Sequence, residues 1–244
     1  MSWYVLLSIL ALVLPFGVSI FLAKSRHIAG RNLLLFLAIG AAGWLLAKIP
    51  KSLVILPVML AKGLPLQMET PQFEELLRTD LTFLVVAAAS AGVFEETCKP
   101  LGLLLFKERL SRHTAAAIGW IVGIGAGLLE SMNFIGGAAY SILGPDQAAV
   151  AEVIHVPVER LAISFFHGAL TAIVVSLALQ RRYLIAFGIP ILIHFGADLI
   201  IPYAQVHGMI TDPRGIQAVV VTWVALTCLV SYRMTRMPQD QGAQ

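Results

Sequence analysis

Apolar stretches recur along the whole chain, each about as long as a bilayer is thick, with short charged punctuation between them. A helix needs about 20 predominantly apolar residues to cross a hydrocarbon core about 30 Å thick. Residues 3–23, 33–49, 83–106, 114–142, 160–180, 183–203 and 216–232 fit that description. The pattern predicts an all-α fold, a polytopic transmembrane helix bundle of about seven spans. Segment 52–62 (SLVILPVMLAK) is too short to cross and is split by Pro57, so it reads as an interfacial or re-entrant piece. Span 114–142 is longer than crossing requires and is expected to tilt or to project at one end.

The connections alternate in charge. Loop 24–32 holds Lys24, Arg26 and Arg31 without an acid, and loop 107–113 holds Lys107, Arg109 and Arg112 against Glu108. Arg181 and Arg182 form the next such turn, and Arg233 and Arg236 follow the last span. The opposite connections are less basic: 144–160 carries Asp146, Glu152 and Glu159 against Arg160, and 204–215 balances Asp212 with Arg214. The Lys/Arg bias predicts an N-terminus outside and a C-terminus in the cytoplasm. Lys48, Lys51 and Lys62, on the predicted outer side, run against that trend.

Composition agrees with the pattern. Charged residues make up 13% of the 244, against about 25% in soluble domains. The net charge of +3 and the lack of a basic patch interleaved with aromatics argue against a nucleic-acid partner. The start, MSWYVLLSILALVLPF, has no early positive charge, the reverse of a cleavable signal, and reads as a retained first span. Cys98 and Cys228 sit in apolar runs and make no metal or redox spacing. Residues 1–237 read as one transmembrane domain with a core at about 83–203, and 238–244 (PQDQGAQ) as a short disordered tail.

An ionisable side chain at the bilayer centre costs about 2.5–3.5 kcal/mol and needs a partner. The intramembrane polar groups are few: Glu95, Glu96 and Lys99 in the third span, Glu130 and Asn133 in the fourth, His167 in the fifth, His194 and Asp198 in the sixth. The remaining three spans are expected to give the interior no ionisable residue. Four consecutive helices thus carry the polarity, which predicts one shared site. His194 and Asp198, four apart, share a helix face, and Glu95 and Lys99 have the favoured order for an i, i+4 ion pair. Glu96 is three from Lys99, but adjacent residues point about 100° apart, so one lysine cannot serve both carboxylates equally. One glutamate is then free for chemistry, and a carboxylate in a low-dielectric pocket suits proton transfer. Gly119, Gly123 and Gly127 form a stripe that lets helices approach closely, and Glu130 extends it toward a neighbouring helix. GIGAG is not a nucleotide fingerprint, because no strand precedes it.

Glu95-Glu96-x-x-Lys99, a helix bearing His167, and His194-x-x-x-Asp198 occur in an order that resembles the PrsW-type branch of the CAAX-protease and bacteriocin-processing (Abi) superfamily, including YhfC-type proteins. The stretch GLLESMNF, with Glu130 and Asn133, is similar to an element between the first and second motifs of PrsW-like proteins. The resemblance covers about residues 90–200. It implies a glutamic-type intramembrane endopeptidase of a cell membrane, of bacterial kind, acting on a membrane-anchored protein or peptide. A glutamate of the first motif would activate water, Glu95 matching its leading position and Glu96 being equally able on chemical grounds. His167 would share or orient that water, and His194 with residue 198 would stabilise the oxyanion. Two positions depart from the family pattern: Ile163 stands where phenylalanine is common, and Asp198 where asparagine is. An ionised aspartate cannot donate to an oxyanion, so Asp198 is protonated, orients His194, or binds a metal.

The resemblance implies no cofactor, but two histidines with carboxylates are also a possible zinc donor set. A proton-coupled transporter is the other reading, since intramembrane Glu, His and Asp also relay protons. It predicts an inverted repeat, and the sequence has none in view.

Overall fold

A computed structural model describes residues 2–63, 76, 79–143 and 153–236. Along them run α1 (Ser2–Ser25), α2 (Gly30–Ala61), α3 (Leu81–Cys98), a 3₁₀ segment (Leu101–Arg109), α4 (Arg112–Leu143), α5 (Val156–Ala178), α6 (Tyr183–Val206) and α7 (Pro213–Arg236). No strand occurs among the described residues. All seven α-helices contain windows long and apolar enough to cross a membrane. The chain is an all-α, multi-pass membrane protein, as the hydrophobic pattern predicts. The expected tail, 238–244, lies outside the described residues.

α5 is the hub. Every residue from Phe166 to Leu177 is buried, the mark of a helix covered on all sides. It packs against α1, α4, α6 and α7. α4 in turn meets α2, α2 meets α3, and α3 meets α6. The helices α4, α2, α3, α6 and α5 therefore close a ring. α1 lies outside it against α4 and α5, and α7 lies outside against α5, meeting α6 only briefly.

Backbone proximity sets the spacing in this ring. A Cβ on Gly123 would fall 2.1 Å from the carbonyl oxygen of His167, and one on Gly127 would fall 2.5 Å from Cα of Ser164. The predicted glycine stripe is thus the α4–α5 contact. Gly92 does the same on the far side, where a Cβ would meet the Ile191 carbonyl oxygen at 2.8 Å and bring α3 onto α6. Without a hydrophobic driving force between helices in lipid, such close contact supplies the dispersion energy that holds them.

The structure corrects three boundaries. Segment 52–62 is not re-entrant but continues α2, which runs unbroken through Pro50 and Pro57. Prolines are tolerated within membrane helices because neighbouring groups re-satisfy the freed carbonyls. The third span does not remain α-helical to 106: α3 ends at Cys98, before Pro100, and the chain continues as 3₁₀. The fifth span begins at Val156 rather than 160, with Pro157 in its first turn, where proline's missing N–H costs nothing.

α3 is started by Asp80, whose carboxylate accepts the Phe83 N–H at 3.0 Å and pairs with the Lys62 ammonium beyond the end of α2. The Lys62 hydrogen bond, with the Phe83 N–H, holds the Asp80 carboxyl below its usual range.

Replacing Gly123 with alanine should lower the thermal unfolding temperature in detergent sharply, since overpacking typically costs about 1–3 kcal/mol. Gly136, where a Cβ would meet nothing within 4 Å, should accept alanine with unchanged or slightly raised stability. Equal melting of the two variants would remove the close-contact account.

Candidate functional site

The last turn of α3 presents Glu95 and Glu96, both buried. Pro100 lacks the N–H that would continue the helix, and Lys99 caps the turn with its N–H on the Glu95 carbonyl at 3.2 Å. The Lys99 side chain folds back wholly buried. Its Nζ lies 2.5 Å from Glu96 Oε1 and 2.7 Å from His167 Nδ1. Lys99 therefore serves Glu96, three residues away, and not Glu95 as the i, i+4 spacing suggests. Glu95 pairs instead with Lys51 of α2, at 3.3 Å.

The histidines are held from behind. An ammonium only donates, so His167 Nδ1 accepts from Lys99 and Nε2–H donates to Glu130 Oε2 at 2.8 Å. Glu130 accepts from Arg160 Nη1 at 3.0 Å, and that guanidinium lies over the Phe134 ring at 4.2 Å. His194 Nδ1–H donates to Glu96 Oε1 at 2.6 Å. In the neutral ring this leaves a lone pair on Nε2, which stands 4.0 Å from Glu95 Oε2 and 3.6 Å from Asp198 Oδ2. The two imidazole centroids are 5.5 Å apart.

These groups border a cavity of about 340 Å³. Glu95, Glu130, His167, His194 and Asp198 line it, along with Lys48, Lys51, Glu159 and Arg160. Its other wall is apolar, with Ile201 of α6 and Val220 and Trp223 of α7. Glu96 and Lys99 stand behind this surface, fully buried. The cavity is roomy and polar enough to hold several waters. Asp198, with 41% of its side chain exposed, is the wettest of the predicted site residues in it.

Of the eight predicted positions, seven converge and Asn133 does not: it is exposed and lies off the cavity. One expectation is overturned: α2 does bring ionisable residues to the interior, Lys48 and Lys51. Glu159 and Arg160, counted above only as charges of the connection before the fifth span, also line the cavity. The signal for the lysines was present, since two cations three apart in one apolar helix face the same way.

Five carboxylates (Glu95, Glu96, Glu130, Glu159, Asp198) face four cations (Lys48, Lys51, Lys99, Arg160). The cluster so counted keeps one net negative charge, and Asp198, the most exposed of its predicted members, is the carboxylate in contact with solvent.

Glu95, His167 and His194 offer ligand atoms within 4.8 Å of one another. In kind this is a catalytic zinc set. A metal-bound histidine normally donates its far N–H to a carboxylate or carbonyl. His194 meets that condition through Glu96; His167 does not, because its Nδ1 faces the Lys99 ammonium and both would be donors. The set as arranged does not fit zinc.

No family model matches the chain, and no curated protein or solved structure does either.

Breaking a buried ion pair by removing one partner typically costs about 3–5 kcal/mol, because the other charge is left uncompensated. Glu96→Gln and Lys99→Met should each destabilise the protein on that scale. The double variant should lose less than the sum of the two, by about 0.5–3 kcal/mol. Denaturant unfolding of the four proteins in micelles reads the coupling, and strict additivity would dissolve the pair.

Proposed function

We propose that the protein is an intramembrane endopeptidase of the glutamic type, with Glu95 as general base and a membrane-anchored protein or peptide as substrate. One observation carries this reading. Glu95 Oε2 and His194 Nε2, each anchored on its other side, face one cavity at 4.0 Å. A water about 2.8 Å from both would subtend about 90° between them, a normal angle for a bridging water. The resemblance of the Glu95-Glu96-x-x-Lys99, His167 and His194-x-x-x-Asp198 motifs to PrsW-type proteases supports the same chemistry.

The step follows from these positions. Glu95 takes a proton from the water as its oxygen attacks the carbonyl carbon of the substrate amide, and the C=O π pair moves onto oxygen. The protonated Glu95 then passes its proton to the amide nitrogen, the C–N bond breaks, and a carboxylic acid and an amine leave. General base catalysis of this kind contributes about 10²- to 10⁴-fold. His194 orients the water through Nε2, its tautomer set by Glu96. His167, with both nitrogens engaged by Lys99 and Glu130, is a positioning residue in this scheme rather than the water's partner. That departs from the role the family resemblance implies for it.

The cavity's lining runs to the end of α6 and to the starts of α5 and α7, with Gln205, Glu159 and Ile216 at its rim. Those ends carry the less basic connections, so the Lys/Arg bias puts them on the non-cytoplasmic face of a cell membrane. Cleavage then falls toward that face.

Glu95→Gln should lower kcat by about 10²- to 10⁴-fold in a protein that still folds, with a smaller loss of stability than Glu96→Gln because its partner Lys51 keeps contact with solvent. The measurement uses purified protein and a donor–quencher transmembrane peptide of Leu, Ala, Gly and Ser with lysine ends. A zinc chelator should leave the wild-type rate unaltered. Full activity in Glu95→Gln would end the proposal, and chelator loss restored by zinc would move the mechanism to a metal.

A further inference from the structure

The hydrolytic reading leaves one part unfilled, a donor for the oxyanion. Asp198 cannot supply it when ionised, His194 Nε2 is turned to the water, and His167 has no free N–H. We propose that Lys51, from α2, is the oxyanion-stabilising residue of this site; the inference rests on the hydrolytic reading.

The four cations around the cluster are not equivalent. Lys99 is fully buried and pinned between Glu96 and His167. Arg160 is held by Glu130, and the Lys48 ammonium lies 4.0 Å over the Trp44 ring. Among the described residues, Lys51 is the cation paired with Glu95, and it does so on Oε1, leaving Oε2 to face His194. Its side chain keeps 22% exposure, so it retains room to move. A carbonyl attacked by a water on Oε2 has its oxygen within a few ångströms of Glu95, inside the swing of a four-carbon stem.

The charge argument points the same way. When Glu95 accepts the water's proton it becomes neutral, and Lys51 loses its counter-ion at the moment negative charge appears on the substrate oxygen. In a low-dielectric cavity an unpaired ammonium is costly, so Lys51 transfers its hydrogen bond from Glu95 to the oxyanion. Its charge is already in place and requires no solvent reorganisation. Glu95 is otherwise faced by Lys48 from α2, Glu130 from α4, His167 from α5, and His194 and Asp198 from α6.

Two measurements test this. In the first, kcat is followed against pH for wild type, Lys51→Met and Lys51→Arg with the donor–quencher peptide. Loss of an oxyanion donor should lower the alkaline plateau of Lys51→Met by about 10²- to 10³-fold, with KM changed little, and Lys51→Arg should recover at least a tenth of the wild-type rate. Recovery of the full plateau at high pH in Lys51→Met would show a counter-ion that only keeps Glu95 ionised, and would overturn the proposal. The second compares binding of the parent peptide with that of its phosphonate analogue, whose tetrahedral anion mimics the oxyanion. Wild type should bind the phosphonate at least 100-fold more tightly, and Lys51→Met should lose most of that margin. A margin undiminished in Lys51→Met would overturn the role of Lys51 and leave hydrolysis standing. Wild type that neither cleaves the peptide nor prefers the phosphonate would bring down the hydrolytic reading itself, and Lys51 with it.

Discussion

Desolvation of charge is the constraint under which the rest of this fold is arranged. An ionised group within a bilayer costs several kcal/mol unless it is paired, and here five carboxylates and four cations are carried by α2 to α6 among the seven apolar helices. They come as near neighbours in pairs: Glu96 with Lys99, Glu95 with Lys51, Glu130 with Arg160. Buried pairs seldom add net stability against apolar replacements. What they do is fix which helix faces which, because a ring rotated by one residue would expose unpaired charge to lipid.

Pairing at these distances demands that backbones come close, and the glycines permit it. Gly123 and Gly127 let α4 lie against the His167 turn of α5, which places Glu130 within 2.8 Å of His167 Nε2. Gly92 sits one turn before Glu96 and brings α3 against α6, so that Glu96 reaches His194 Nδ1 at 2.6 Å. The two contacts lie on opposite sides of the ring. A side chain at either position would push apart helices whose charges are matched across them, coupling a packing fault directly to an electrostatic one.

Much of this could be read from the chain, and the parts that could not have physical reasons. The seven spans follow from hydropathy. His194 and Asp198 share a face because they are four apart, and the glycine stripe pointed Glu130 at its neighbour. Lys48 and Lys51 read as charges at a span end only if Pro50 and Pro57 stop the helix, which prolines do in water but not where the bundle can re-satisfy the backbone. Once α2 is one helix, both lysines are intramembrane cations that need acids. Arg160 falls in a connection by hydropathy but in a helix in the structure, because α5 starts a turn earlier than the apolar run does. The choice of Glu96 over Glu95 for Lys99 depends on the rotation of α3, set by its contact with α6, and no local spacing encodes that. Asn133 is exposed and off the cavity, where Phe134, one residue on, takes the place beside Glu130.

The cluster divides into two layers with different freedoms. Glu96 and Lys99 behind the cavity, and His167 and Glu130 on its wall, form a continuous chain of hydrogen bonds between 2.5 and 2.8 Å, and the first three are almost wholly excluded from solvent. In front, Glu95, Lys51, His194 Nε2 and Asp198 stand 3.3 to 4.0 Å apart around the cavity. In the tight layer Lys99 donates to Glu96 and to His167 Nδ1, and His167 Nε2–H donates to Glu130, which holds the imidazole tautomer fixed while Glu96 Oε2 stays buried without a partner. The loose layer has gaps of a size that one water or one substrate oxygen fills. A site that must keep its geometry while a proton crosses it needs both properties. They cannot reside in the same atoms, since a group in a short closed hydrogen bond has nothing left to offer a substrate. On that ground the two adjacent glutamates of α3 are not redundant. Glu96 spends its oxygen on Lys99 and His194 so that Glu95, one residue earlier and turned about 100° away, can remain available.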